Sequence, residues 1–216
     1  MAEENIHTIS TDEKTGIQAL ERIAATLPMK PGRIEGIEFE YSRHGTVCLI
    51  GNFDVVTGRI ICPTIQATRT EEDFVKHIGQ TIDTNPEDGW IFVMDNLNIH
   101  CSEKLVEFVA EKCGIAEDLG KKGKRGILKS VASRQKFLAT LSHRIRFVYT
   151  PKHTSWRNQI EIGFRILVRR FLKRGNFAST GELTQKLRSF IAYFNTTMAK
   201  PFKGTYTGRP LQSGVA

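Results

Sequence analysis

Five consecutive apolar residues, Trp90-Ile-Phe-Val-Met94, stand between Gly89 and Asp95. The run is far too short to cross a bilayer and lacks the alternation of a half-exposed strand. It predicts a central strand buried on both faces, the kind of strand that needs helices packed above and below its sheet. It also delivers a carboxylate, Asp95, and an amide, Asn96, at its carboxyl end. Packing alone gives no reason for a polar pair there.

The flanking segments complete an α/β pattern. Residues 6–12 alternate like a strand that ends in Asp12, and residues 46–53 and 59–65 are β-branched runs joined by Val56-Thr57-Gly58, which reads as a hairpin. Residues 71–82 follow as a helix, with Phe74, Ile78 and Ile82 one turn apart and acids in the first turn. Ser102 caps a helix through Cys113, with Gly114 as its stop. Residues 119–142 are basic and partly helical, and 144–149 read as another strand ended by Pro151. A helix from about Ser155 to Lys173 carries the stripe Ile160, Phe164, Leu167, Val168 and Phe171. A last helix opens on Ser179-Thr-Gly-Glu182, a capping box, and buries Leu183, Leu187, Phe190, Ile191 and Phe194. This order predicts a mixed sheet flanked by helices.

A chain of 216 residues fits a single domain, 1–216, without internal repeat, linker or low-complexity tract. No apolar run is long enough for a membrane span. The acidic start lacks an apolar core, so no secretory signal is expected. Cys48, Cys62, Cys101 and Cys113 show no C-x-x-C spacing and read as reduced thiols of a cytoplasmic protein.

Charge is divided unevenly along the chain. All but two of the 23 acids precede residue 119, whereas 21 of the 31 Lys and Arg follow residue 118. The basic half suggests a surface for a polyanion. Glu161 is the only acid between Asp118 and Glu182. One reading makes it an intrahelical partner of Arg157 or Arg165. The other makes it a ligand that holds a cation next to bound phosphate.

Asp12, Asp95 and Glu161 all fall at element ends where an α/β fold can converge them. Hard divalent cations prefer carboxylate oxygens, and a pair of ions about 4 Å apart serves the attacking and leaving oxygens of a phosphodiester. Of the aspartates, Asp95 is the stronger candidate, because Glu13 adjoins Asp12 and Asp54 ends a neighbouring strand. His100 and His153 could join a metal shell, touch DNA or serve as hydrogen-bonding scaffold. Asn96, Asn98 and Asn158 could orient the carboxylates or act as turn and cap residues.

Three segments resemble the motifs of DDE transposases of bacterial insertion sequences in the mariner superfamily. They are Asp12-Glu-Lys-Thr-Gly-Ile-Gln-Ala-Leu20, Val93-Met-Asp95-Asn-Leu-Asn-Ile-His100 and Tyr149-Thr-Pro-Lys-His-Thr-Ser-Trp-Arg-Asn-Gln-Ile-Glu161. The similarity continues through Arg169-Arg-Phe-Leu-Lys-Arg-Gly-Asn-Phe177 to Lys200-Pro-Phe-Lys203. The resemblance implies a ribonuclease H-like fold and a catalytic, metal-holding triad of Asp12, Asp95 and Glu161 with two Mg2+ or Mn2+ ions. It implies cleavage at transposon inverted repeats and transfer of the 3′-hydroxyl into target DNA. It allows a homodimer and places the protein at the nucleoid.

Departures from that pattern define the alternatives. Asp95 and Glu161 stand 66 positions apart, wider than is usual for the family, and the excess coincides with a basic insertion at about 119–142. Gly163 and Gly204 occupy positions where relatives tend to carry Trp. A helical Gly costs about 1 kcal/mol, and a lost buried indole on the order of 3–5 kcal/mol. No counterpart of the amino-terminal helix-turn-helix region precedes residue 5. The alternatives to an active core are a non-catalytic DNA-binding remnant and another nuclease of the same fold. The DNA contacts expected are Lys121, Lys122, Lys124, Arg125, Lys152, His153, Arg157, Arg165 and Arg169.

Overall fold

The structure, a computed structural model, describes residues 5–151 and 158–201. In chain order it holds β1 (Ile6–Arg22), β2 (Tyr41–Asp54), β3 (Ile60–Gln66), α1 (Glu71–Ile82), β4 (Gly89–Met94), α2 (Glu103–Lys112), α3 (Val131–Leu138), β5 (Ile145–Tyr149), α4 (Ile160–Arg170) and α5 (Thr180–Thr197). The strands form one sheet in the order β3-β2-β1-β4-β5. β2 pairs antiparallel with β1 and β3, while β4 pairs parallel with β1 and β5. The expected mixed sheet with helices on both faces is therefore the fold. Among the described residues no helix is long and apolar enough to cross a membrane.

Two hydrophobic clusters sandwich the sheet. On one face Ile9, Ile50, Trp90, Phe92, Met94 and Phe147 meet Phe74, Ile78, Leu105, Val109 and Leu138 from α1, α2 and α3. On the other, Ile17, Leu49, Phe53 and Ile60 meet Ile160, Phe164 and Leu167 of α4 and Leu183, Leu187, Ile191 and Phe194 of α5. The apolar run does form an inner strand, but Ile91 and Val93 are only half-buried while Trp90, Phe92 and Met94 are buried. The second layer sits over β1–β3, so this face of β4 receives less cover than the sequence suggests.

β1 corrects a second expectation. Asp12 does not close the strand, which continues ten residues further through Arg22. Glu13-Lys-Thr-Gly16 resembles a turn, yet the segment stays paired to β2 on both sides of a register shift between Lys14 and Ile17. Gly16 takes a φ of +64° there, a left-handed conformation that suits Gly in a bulge. Only the parallel partner stops near Asp12, since the last β1–β4 pair is Ser10 with Val93.

Local signals explain the helix starts. Thr70 and Asp73 form a reciprocal capping box before α1, and Ser102 accepts from the Leu105 amide before α2. Ser179 accepts from the Glu182 amide, but the Glu182 carboxylate reaches past Ser179 to the Ala178 amide at 2.7 Å. α4 begins at Ile160, and a 3-10 turn over Leu172–Arg174 carries it on to Gly175. Within 119–142, Leu128, Phe137 and Leu138 join the core, and buried Arg134 donates to the carbonyls of Cys101 and Leu128. Residues 23–40 make an exposed arm with bridges Leu27–Gly36 and Lys30–Arg33. The four cysteines form no disulfide.

Gly163 is buried in α4, and a Cβ there would lie 3.5 Å from Ile60 Cδ1 and 3.9 Å from Phe53 Cδ2. Those are ordinary contact distances. Gly163→Ala is expected to stabilise the fold by about 0.5–1 kcal/mol through the helical propensity gained, seen as a rise in melting temperature. A Trp would require Phe53, Ile60 and Ile160 to move, so a lower melting temperature is expected for Gly163→Trp.

Candidate active site

β1 and β4 run side by side in parallel, and two residues beyond Ser10 and Val93 they reach Asp12 and Asp95 at the same level. The carboxyl ends of parallel strands are where α/β folds gather ligands. α4 is fastened beside them from β1. Asn158 donates to the Thr11 carbonyl at 2.9 Å and to Asp12 Oδ2 at 3.3 Å. Ser10 Oγ accepts the Ile160 amide at 2.9 Å and donates to Asn158 Oδ1. Gly51, paired with Asp12 across β1–β2, permits the close approach, because a Cβ there would meet Ile160 and Phe164 at 3.2 Å.

Asp12 is 8% exposed. Burial pushes its carboxyl up to about 6; the Glu13 amide opposes this, and the negative charges of Asp95 and Glu13 reinforce it. Asp95 behaves in the opposite way. Its Oδ1 accepts from His100 Nδ1 at 2.7 Å and from the Leu97 amide at 2.9 Å. The His100 hydrogen bond holds the Asp95 carboxyl below its usual range despite burial. His100 is also bonded through Nε2 to Glu13 Oε1 at 2.9 Å. Burial disfavours its charge, but the bonds to Asp95 and Glu13 prevail and raise it to about 9. Each ring nitrogen faces a carboxylate oxygen, an acceptor, so both act as donors.

Glu161 lies in the first turn of α4 and lines a cavity of about 190 Å3 with Lys14, Phe164, Arg165, Val168 and Arg169. Lys14 is two residues on from Asp12, on the same face of β1. Among the described residues no ion pair joins Glu161 to Arg165, which removes that partner from the helix-pair reading. Equally, no three His, Cys, Asp or Glu side chains among them are grouped to hold a metal ion. The charges of Asp12 and Asp95 act on each other, and among the described residues Glu161 does not complete a three-acid group with them. Three like charges at one point repel, and Glu161 rests among cations instead.

The donor set present suits a hard divalent cation. Asp95 Oδ2 has no hydrogen bond among the described residues, and Asp12, strained by burial and by the charges of Asp95 and Glu13, would be relieved by a cation that it and Asp95 would hold. Asn158 orients a carboxylate, as one reading of the sequence expected, and His100 is scaffold. Asn96 instead bonds the Thr150 carbonyl and Gln135. The Glu13–His100 link escaped sequence reasoning, since 87 positions separate the two. The only signal was an acid adjoining Asp12.

Of the expected DNA contacts, Lys121, Lys122, Lys124 and Arg125 occupy an exposed loop. There Lys122 pairs with Glu103 at 3.5 Å and Arg125 with Asp118. Arg165 and Arg169 are exposed on α4. Lys152, His153 and Arg157, like Trp156 and Gly204, lie outside the described residues. Unforeseen is a second cavity of about 590 Å3, lined by Arg22, Arg169, Lys173 and Arg174 with Glu35. Arg169 belongs to both cavities, so cations run along α4 from Glu161 onward.

The sequence profile described as "DDE superfamily endonuclease" matches residues 7–184, which hold all three acids. The chain belongs to this family. Its fold is similar to that of the Mos1 mariner transposase, solved as a paired end complex with Mn, at a TM-score of 0.52 and 13% identity. The similarity covers 88% of this chain and 48% of that one, so this DDE endonuclease chain spans about half the length of its solved neighbour. A pre-cleavage Mos1 transpososome also matches, at a TM-score of 0.44 and 9% identity over 88% of this chain and 48% of that one. The ribonuclease H-like architecture follows from the first of these. No curated protein matches the chain.

Proposed function

We propose that this DDE endonuclease is the catalytic core of a transposase, cutting phosphodiester bonds at transposon ends and joining the freed 3′-hydroxyl to target DNA. The observation that carries the reading is the pairing of Asp12 and Asp95, two carboxylates just past the point where the parallel pairing of β1 with β4 stops, whose charges oppose each other. Asp12, Asp95 and Glu161 are the residues that hold the divalent cations. A bound Mg2+ or Mn2+ pair supplies an activated attacking oxygen and a stabilised leaving oxygen. Asn158 and His100 keep the two aspartates oriented, and the buried wall around Asp12 limits water. Lys14, Arg165 and Arg169 bind the phosphate backbone next to Glu161, and Arg22, Lys173 and Arg174 continue that track. The test is nicking of supercoiled plasmid in Mn2+, with a chelated control. That Glu161 does not complete a group with the aspartates among the described residues favours a second reading, a DNA-binding remnant, and a chain that binds DNA but never nicks would establish it.

The cation track makes a separate prediction. Binding should be mainly non-specific, with log K falling against log salt at a slope of about −0.9 per phosphate neutralised. Arg169→Ala and Lys173→Ala are each expected to reduce the slope by about 1. Fluorescence anisotropy on two unrelated duplexes checks this. Salt-insensitive binding, or a strong preference for one duplex, contradicts it.

A further inference from the structure

β1 sends successive side chains to opposite faces, so Asp12 turns towards α4 and Glu13 towards α1 and α2. The Glu13 side chain is 1% exposed, and His100 is 0% exposed. Glu13 has Arg69 only at 3.9 Å, so its close partner is His100 Nε2 at 2.9 Å. Further contacts fix the ring and its backbone. Phe74 packs against it at 4.6 Å between centroids, and the Tyr149 hydroxyl donates to the His100 carbonyl at 2.8 Å. Its remaining nitrogen donates to Asp95 Oδ1, which also accepts the Leu97 amide. Two apolar side chains would fill positions 13 and 100 at less desolvation cost than a buried ionic chain. What the chain Glu13–His100–Asp95 adds is direction, because it occupies one oxygen of Asp95 and fixes the carboxylate plane.

We propose that Glu13 and His100 are positioning residues that aim Asp95 Oδ2 at the divalent cation. Carboxylates and imidazoles that ligate metals are themselves held by outer hydrogen bonds, and losing such a partner weakens metal binding about 10–100-fold. The proposal rests on the reading of Asp95 as a metal-holding residue, and the controls separate the two. Mn2+ affinity is measured on the full chain by electron paramagnetic resonance of the free ion, together with melting temperature and duplex affinity. Asp95→Asn must weaken Mn2+ binding. If it does not, the metal reading of Asp95 fails, and this inference with it.

Given that control, His100→Ala is expected to weaken Mn2+ binding about 10–100-fold while leaving duplex affinity unchanged. His100→Asn places an amide near Nδ1 and keeps the donor to Asp95, so it should recover most of the affinity. His100→Gln places its amide near Nε2, serves Glu13 alone, and should bind Mn2+ as weakly as His100→Ala. Wild-type affinity in His100→Ala, or equal losses in the Asn and Gln variants, overturns the proposal. Should every variant at position 100 fail to fold, Glu13→Gln decides. It keeps an acceptor for Nε2 without the charge, and a several-fold loss of Mn2+ affinity is expected. Unchanged affinity would overturn the proposal.

Discussion

Asp95→Asn and Glu161→Gln are each expected to lower plasmid nicking in Mn2+ at least about a thousandfold, roughly 4 kcal/mol of transition-state stabilisation. Duplex binding should survive both changes. The amides nearly match the carboxylates in shape, so what each variant loses is the charge that binds a cation. Removing a negative charge next to Lys14, Arg165 and Arg169 should, if anything, tighten the hold on phosphate. The Glu161 variant is the sharper of the two, because the structure leaves Glu161 outside the Asp12–Asp95 pair. Nicking at the parent rate by Glu161→Gln, with melting lowered by no more than an exposed ion pair is worth, about 0.5 kcal/mol, would end the triad for that residue.

Asp12→Asn is expected to stabilise the metal-free protein at pH 8 by up to about 3 kcal/mol, since each tenfold change in proton affinity between the folded and unfolded chain is worth roughly 1.4 kcal/mol. The carboxyl of Asp12 sits at about 6 in the folded chain against an ordinary value of 3.8. Folding therefore favours the protonated form. The stability this proton confers is fully present below about pH 4 and is lost as pH rises through about 6. Asn cannot ionise and its side-chain oxygen still accepts the Glu13 amide, while its NH2 gives up the long Asn158 bond to Oδ2, so the gain should be somewhat below its full size at pH 8, about half that at pH 5, and small near pH 4. Urea midpoints at the three pH values measure it. Mn2+ should stabilise the parent protein and have much less effect on the variant. A variant no more stable than its parent at pH 8 would show that Asp12 ionises there without strain.

Sequence periodicity disclosed most of the sheet and helices. The helix at 71–82 has the bounds expected of it, because Thr70 and Asp73 cap it locally and Phe74, Ile78 and Ile82 mark its buried side. The hairpin at 56–58 is equally local, with the Asp54 carboxylate accepting the Val56 amide at 2.9 Å. Where the reading failed, the deciding contacts were distant. β1 continues past Asp12 because β2 pairs with it as far as Arg22–Tyr41, and Glu13-Lys-Thr-Gly16 gives no hint of a partner. The arm at 23–40 has no period to read. In the site, the resemblance singled out the three acids, while the fold decides what surrounds them. Adjacent acids at 12 and 13 weakened the case for Asp12 on paper. In the folded chain they part to opposite faces, and each finds a different role.

That parting constrains how the gene for such a chain can vary in length. One codon added or lost between Ile6 and Asp12 would turn residues 12 and 13 over, sending the acid meant for Asn158 towards the imidazole and its neighbour towards α4. Past Lys14 the same event meets a strand whose pairing with β2 is already out of step, with Gly16 in a left-handed conformation to absorb the extra length. Insertions and deletions in this strand are thus tolerated on one side of the acids and forbidden on the other.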